Sequence, residues 1–389
     1  MRTRIRVMVV GVGCLFVAAV TASFTPLVAR AGATGPRGIG PAGTSRSWGN
    51  TIIHIRWEPW DAKNAFAMTP VEVRDVIGHA FGLWDVRTSQ LRLDFQGALI
   101  PPVNDYPQLV ALKDRMPLDT IVIVFDDTEG ADILRRLESQ RGAVLEENEA
   151  GFTWEDPPPI VVASTPGQVV TARRQLLTRV FIVVATRRAK TKIGLTQLLI
   201  HEAGHALGLE HSFIRSDGHE STRPMMFPDV PHRQMLHADD VAWISDLYPR
   251  MWPLWRRAER TYGHITGRVR DQNGRPLPNV NVVATEIEDV PGLPPGQLIR
   301  QFQYAAITEL RSDRNADAMD GAFSIPVPRG IYQVRVESVP QAYRLEIDGS
   351  DRPYRPVLNG TVVFEERLPV EEGKTSQTKD ARVTVRLAP

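Results

Sequence analysis

The stretch "LLIHEAGHALGLEHS", Leu198 to Ser212, places three of the chain's nine histidines within eleven residues of an otherwise apolar run. A helix turns about 100° and rises about 1.5 Å per residue, so His201 and His205, four apart, stand nearly above one another and can point at one ion. His211 cannot join them on the same helix. It would lie about 15 Å along the axis from His201, whereas zinc to nitrogen bonds measure about 2.0 to 2.1 Å. The helix must therefore stop, and Gly208 is placed to stop it, because glycine accepts the left-handed conformation that ends helices. Three imidazoles that converge in this way leave a fourth zinc position for water.

Thr196 reads as the N-cap of this helix, with Leu195 and Ile200 spaced as a hydrophobic staple. Leu198, Leu199, Ala203, Ala206 and Leu207 make it apolar on most sides, so burial is expected. Glu202 sits beside the first histidine. There it could take a proton from the attacking water and pass it to a leaving amine. A nucleophile elbow of the Gly-x-Ser-x-Gly type is absent from the sequence.

The only cysteine, Cys14, lies in the N-terminal run. Arg2, Arg4 and Arg6 precede apolar residues Val7 to Val20 and then Thr21 to Val28, followed by Ala29-Arg30-Ala31, the small-residue pattern of a signal peptidase site. Residues 1 to 31 read as a signal peptide cut after Ala31, and an uncleaved membrane anchor is the alternative. Cleavage removes four arginines and no acid, which moves the formal charge from +1 to −3 and gives no reason to expect nucleic acid as a partner. It also removes the cysteine, so any metal must sit on histidine or oxygen.

Residues 32 to 49 are rich in Gly, Pro and Ser and read as a flexible leader; the GxGxxG within them lacks a flanking strand and helix. From residue 50 the pattern is globular. "TIIHIRW" looks like a strand, and Thr69 and Pro70 open a helix whose Val73, Val76, Ile77, Ala80, Phe81 and Trp84 recur at helical spacing. "LDTIVIVFDD" suits a central strand, residues 131 to 149 a charged helix, and Ile160 to Ser164 and Arg179 to Thr186 further strands. Residues 250 to 262 form a Pro- and Trp-bearing linker. Beyond it, short strands separated by turns such as Asn273-Gly274 and Asp320-Gly321 indicate a β-sandwich over 263 to 389.

"HEAGHALGLEHS" resembles the zinc motif of the metzincin endopeptidases, with the serine of the matrixin branch after the third histidine. "PMMFP", Pro224 to Pro228, is similar to the Met-turn, which implies that Met226 lies beneath the metal. "LHADDVAWISDLYP" resembles the closing matrixin helix, where Asp239 and Asp240 suit the helix dipole. The resemblance spans residues 50 to 249. It implies an α+β catalytic domain with a mixed twisted sheet and a buried active-site helix, followed here by an all-β sandwich domain. It further implies one catalytic zinc on His201, His205 and His211, Glu202 as general base, and protein or peptide substrates. Phe227 and Pro228 would line the pocket for the side chain after the scissile bond, and an edge strand, with Ile160 to Ser164 as candidate, would pair with extended substrate.

Three departures from the family stand out. No tyrosine lies two residues after Met226, no segment for a second structural zinc is visible between Asp127 and Arg179, and a cysteine switch is impossible once the signal is removed. Calcium is left open. His54, His79, His219, His232, His237 and His264 read as surface or core residues. The basic cluster Arg187, Arg188, Lys190 and Lys192 reads as a solvated loop. The tail, "ITGRVRDQNGRPLPNVNVVATE" with "DGAFSIPVPRGIYQVRVES", resembles the carboxypeptidase regulatory-like, transthyretin-like sandwich. The expectation is a secreted or extracytoplasmic, monomeric zinc endopeptidase. The alternative is a surface adhesion or scaffolding protein whose metal site is only structural.

Overall fold

A computed structural model describes residues 28–31, 46–48, 51–59, 68–98, 100–126, 133, 136, 149–155, 175–186, 191–209, 211–214, 223–231, 233–250, 262–288, 297–308, 321–339, 357–358, 360–378, 381–383 and 385–386. Among them no helix is long and apolar enough to cross a membrane. The segments read as signal, leader and linker lie largely outside the described residues, as does Ile160 to Ser164.

The first sheet draws on β1 (Val28–Ala31), β3 (Ile52–Trp57), β4 (Arg92–Gly97), β5 (Thr120–Asp126), β6 (Glu149–Glu155) and β8 (Arg179–Ala185), in the order β1-β6-β8-β5-β3-β4. β2 (Arg46–Trp48) pairs separately with β7 (Gln175–Leu177). β8, β5, β3 and β4 run parallel, while β6 lies antiparallel to β8. The residues expected to precede the signal cut, β1, pair in parallel with the outer edge of β6. A chain cut after Ala31 loses that strand and leaves the edge of β6 without it.

Every residue of β5 is buried, as a central parallel strand with both faces covered requires. Its alternate residues serve two layers. Ile121, Ile123 and Phe125 face the helices α1 (Pro70–Gly82) and α3 (Lys192–Ala206), while Val122 and Val124 pack with Leu109 and Leu112 of α2 (Tyr106–Lys113). α1 begins as its sequence indicates: Thr69 and Glu72 form a capping box, and Val73, Val76, Ile77, Ala80 and Phe81 are buried.

After α4 (Ala238–Leu247) the described chain is built of strands. β9 (Gly263–Asp271), β10 (Val280–Glu288), β11 (Gln297–Ile307), β12 (Ala322–Val327), β13 (Gly330–Ser338) and β14 (Val357–Leu358) come first. β15 (Val362–Val370), β16 (Thr375–Gln377), β17 (Ala381–Val383) and β18 (Val385–Arg386) follow. One sheet runs β11-β10-β13-β15, antiparallel throughout, and a second runs β12-β9-β16 with β17 also on β9. Ile265, Val269, Val282, Ala284, Phe323, Ile325, Val334 and Val336 form their shared core, and Ala242 of α4 joins it.

Candidate metal centre

α3 starts earlier than its sequence suggests. Thr191 is the N-cap, its side chain accepting the amide of Gly194, and Thr196 lies inside the helix with its hydroxyl donating back to the Lys192 carbonyl. The N-cap role assigned to Thr196 is therefore corrected. The poor helix former Gly194 and the exposed Ile193 obscured a first turn that tertiary burial of the later turns sustains.

The C-terminal end of α3 is a Schellman motif. Gly208 has φ 97°, the Gly208 amide donates to the His205 carbonyl (2.8 Å), and the Leu209 amide donates to the Gly204 carbonyl (3.0 Å). Two distant side chains satisfy the last carbonyls: Trp48 Nε1 donates to Ala206 O (2.9 Å) and the Tyr248 hydroxyl donates to Leu207 O (2.7 Å). The chain then turns back. His211 comes to lie with its ring centroid 5.3 Å from that of His201 and 4.7 Å from that of His205.

The Nε2 atom of His205 is 3.0 Å from that of His201 and 3.2 Å from that of His211. Tetrahedral ligation at about 2.0 to 2.1 Å separates ligand nitrogens by roughly 3.3 Å, so the spacing suits one zinc ion. The other ring nitrogens set the tautomer. His201 Nδ1 donates to Met225 O (2.6 Å) and His205 Nδ1 donates to Leu209 O (2.8 Å); a carbonyl can only accept, so each Nε2 keeps its lone pair for a metal. Burial lowers His201 to about 4 and His205 and His211 well below the usual imidazole range, the neighbouring rings adding to the shift in the latter two. All three are neutral at pH 7. Among the described residues this trio is the one group of metal-binding type. Glu202, next along α3 from His201, is fully buried.

Met226 packs under this end of α3. Its sulfur lies 2.2 Å from where a Cβ on Gly204 would stand, and Trp84, whose indole donates to the Ile200 carbonyl (2.9 Å), closes the same contact. The Asp240 carboxylate holds the turn, accepting the amides of Met225 (2.8 Å) and Met226 (3.2 Å) and that of His237 (2.7 Å). The Ser212 amide donates to Met226 O (2.8 Å), which ties the residue after His211 to the turn as well. Sequence reading missed Gly204, Trp84, Trp48 and Tyr248, and saw in Asp239 and Asp240 only helix-dipole partners. In the structure His237 and Asp240 form a capping box, but their residue types fall outside the usual Ser/Thr to Glu/Gln pattern, so it was not recognisable from sequence.

Phe227 and Pro228 are buried in the same turn, with the Arg223 guanidinium 4.8 Å over the Phe227 ring. Of the other histidines, His54 meets Asp94, His264 meets Asp246, and His237 caps α4; His219 and His232 lie outside the described residues, as do Arg187, Arg188 and Lys190.

Residues 124–249 match the matrixin family model, under half of the chain. No curated protein matches. Among solved structures, metalloproteinase-II from Bacteroides fragilis is similar at 12% identity and a TM-score of 0.26, over 55% of this chain and 58% of that one. The chain thus spans less than two thirds of that protein's length, and so slight a likeness adds no weight. The sequence match and the histidine geometry together support a metzincin-like metalloprotease domain in this part of the chain.

Proposed function

We propose that the chain is an exported, single-zinc endopeptidase of matrixin type, with a C-terminal unit of the carboxypeptidase regulatory-like class. The observation that carries this is the meeting of three Nε2 atoms, two of them on rings whose Nδ1 atoms are committed to carbonyls. His201, His205 and His211 would hold the ion, which supplies Lewis acidity that polarises a carbonyl and acidifies a water. Glu202 takes the proton of the attacking water and delivers it to the leaving amine, so no covalent intermediate with the protein is needed. Met226 and Gly204 keep the floor of the site rigid, and Asp240 keeps Met226 in place. Phe227 and Pro228 border the substrate pocket, and β6 offers its edge to extended peptide once β1 is gone. Export is supported by the arginines and apolar run at residues 2 to 28.

The test is cleavage of an unfolded protein by the full chain with and without chelator, alongside metal analysis. One zinc per chain and chelator-sensitive, zinc-restorable cleavage are expected. Cleavage that survives complete zinc removal overturns the proposal. Stoichiometric zinc without any cleavage of a peptide library would favour the adhesive or scaffolding reading instead.

A further inference from the structure

Of the three residues after the third histidine, the C-terminal unit meets Phe213 and Ile214 directly and Ser212 by way of Asp239 in α4. Ser212 Oγ donates to Asp239 Oδ2 (2.6 Å), and Asp239 Oδ1 accepts the amide of Ala305 in β11 (2.9 Å). Trp243 Nε1 donates to the carbonyl of the same Ala305 (3.0 Å). Asn281 Nδ2, in β10, donates to Phe213 O (3.0 Å) and to Glu337 Oε1 in β13 (3.0 Å). Ile214 then packs against Val283 and Ala305 in a small apolar cluster of its own.

These contacts use the face of β10 that points away from the unit's own core. Val280, Val282 and Ala284 line that core, whereas Asn281, Val283 and Thr285 alternate with them on the opposite face. An antiparallel sheet commonly leaves such a face in water. Here Asn281, Val283 and Thr285 are all buried. Thr285 is bonded by Gln303 and Arg335 of the same unit, whereas Asn281 and Val283 meet residues 213 and 214, in the segment that needs support. His201 and His205 are fixed by a helix, but His211 depends on an irregular stretch, and its neighbours gain partners from β10, β11 and α4.

We infer that the C-terminal unit is an integral part of the metal centre: Asp239 and Asn281 are positioning residues that hold residues 212–214, and through them His211. The inference rests on the zinc reading of the three histidines. It makes the unit a structural half of the site rather than an appendage that binds or spaces on its own account.

The test uses the full-length zinc-loaded chain, with zinc release to a chromogenic chelator and the absorption spectrum of the cobalt(II)-substituted protein as readouts. Removing hydrogen bonds that orient metal ligands costs about 10 to 100-fold in affinity, so Asp239→Asn and Asn281→Ala should each release zinc about tenfold faster and shift the cobalt bands. Tyr332→Phe, which removes only a hydroxyl bond to Pro328 O within the unit, should weaken the fold without changing either readout. Variants that fold and release zinc at the unaltered rate overturn the inference. If they do not fold, the unmodified chain decides: by reciprocity, zinc loading must slow hydrogen exchange at the Ala305 amide, and unchanged exchange overturns it. Failure of the zinc reading looks different, since the unmodified chain would then take up no zinc.

Discussion

The sulfur of Met226 occupies the space a side chain on Gly204 would need, 2.2 Å from the position of its Cβ. Met226 and the glycine between the first two histidines are thus one packing unit, although 22 positions separate them in the sequence.

Gly204→Ala follows from that contact. In an open helix the change would gain about 1 kcal/mol of helix propensity. Here the added methyl also meets Trp84 Cζ2 at 2.7 Å, and overpacking a filled core costs about 1 to 3 kcal/mol. The packing term should win. The urea midpoint is expected to fall and zinc content to drop; a rise in midpoint would refute the argument.

Gly208→Ala tests the helix stop. At φ 97° a Cβ costs about 1 to 2 kcal/mol, and relief of that strain would pull the chain away from the path that brings His211 back. Lower thermal stability and weaker zinc retention in equilibrium dialysis should appear together. Full zinc affinity in the variant would show that another element sets the position of His211.

Glu202→Gln separates metal binding from proton transfer. The variant should hold one zinc, measured by atomic absorption, while kcat/KM for a peptide falls by about 10² to 10⁴, the usual contribution of a positioned acid or base. An unchanged rate would remove Glu202 from the mechanism.

Acid should destabilise the metal-free chain between about pH 6.5 and pH 4. Burial holds His201 and His237 down at about 4, and His205 and His211 well below 6.5, so the unfolded chain takes up protons there that the folded chain refuses. Asp239 and Asp240 work in the opposite direction. Burial raises them from 3.8 to about 7 and about 6, so their contribution is present at low pH and is lost as pH rises through those values. Four histidines outweigh two carboxyls. The urea midpoint of metal-free protein should be lower at pH 5 than at pH 7, and Asp240→Asn should steepen the difference by removing one of the opposing groups. A midpoint that rises on acidification would contradict this assignment.

Much of the site was legible because its signals are local. His201 and His205 share a helical face by spacing alone, and the Thr69-Pro70 start of α1 needs only its own first turn. The start of α3 was misread for the same reason in reverse: Gly194 argues locally against a helix, and burial of the following turns overrules it. The antiparallel strand β6 begins at Glu149, the last residue of the stretch read as a charged helix, because pairing with β8 decides its conformation; most of residues 131 to 148 lie outside the described residues.

The amino-acid order by itself determined which side chains could bind a metal, where their helix had to break, and that a strand-rich unit follows. Those are consequences of fixed periods along one chain, 3.6 residues for a helix and two for a strand. Only the tertiary structure decided how the site is held. Trp48 reaches Ala206 across 158 positions, Asp240 reaches the Met225 amide across 15, and Asn281 reaches Phe213 across 68. Such bonds follow no period: each forms because folding buries a polar group that must then find a partner, and which partner is near depends on how the layers pack.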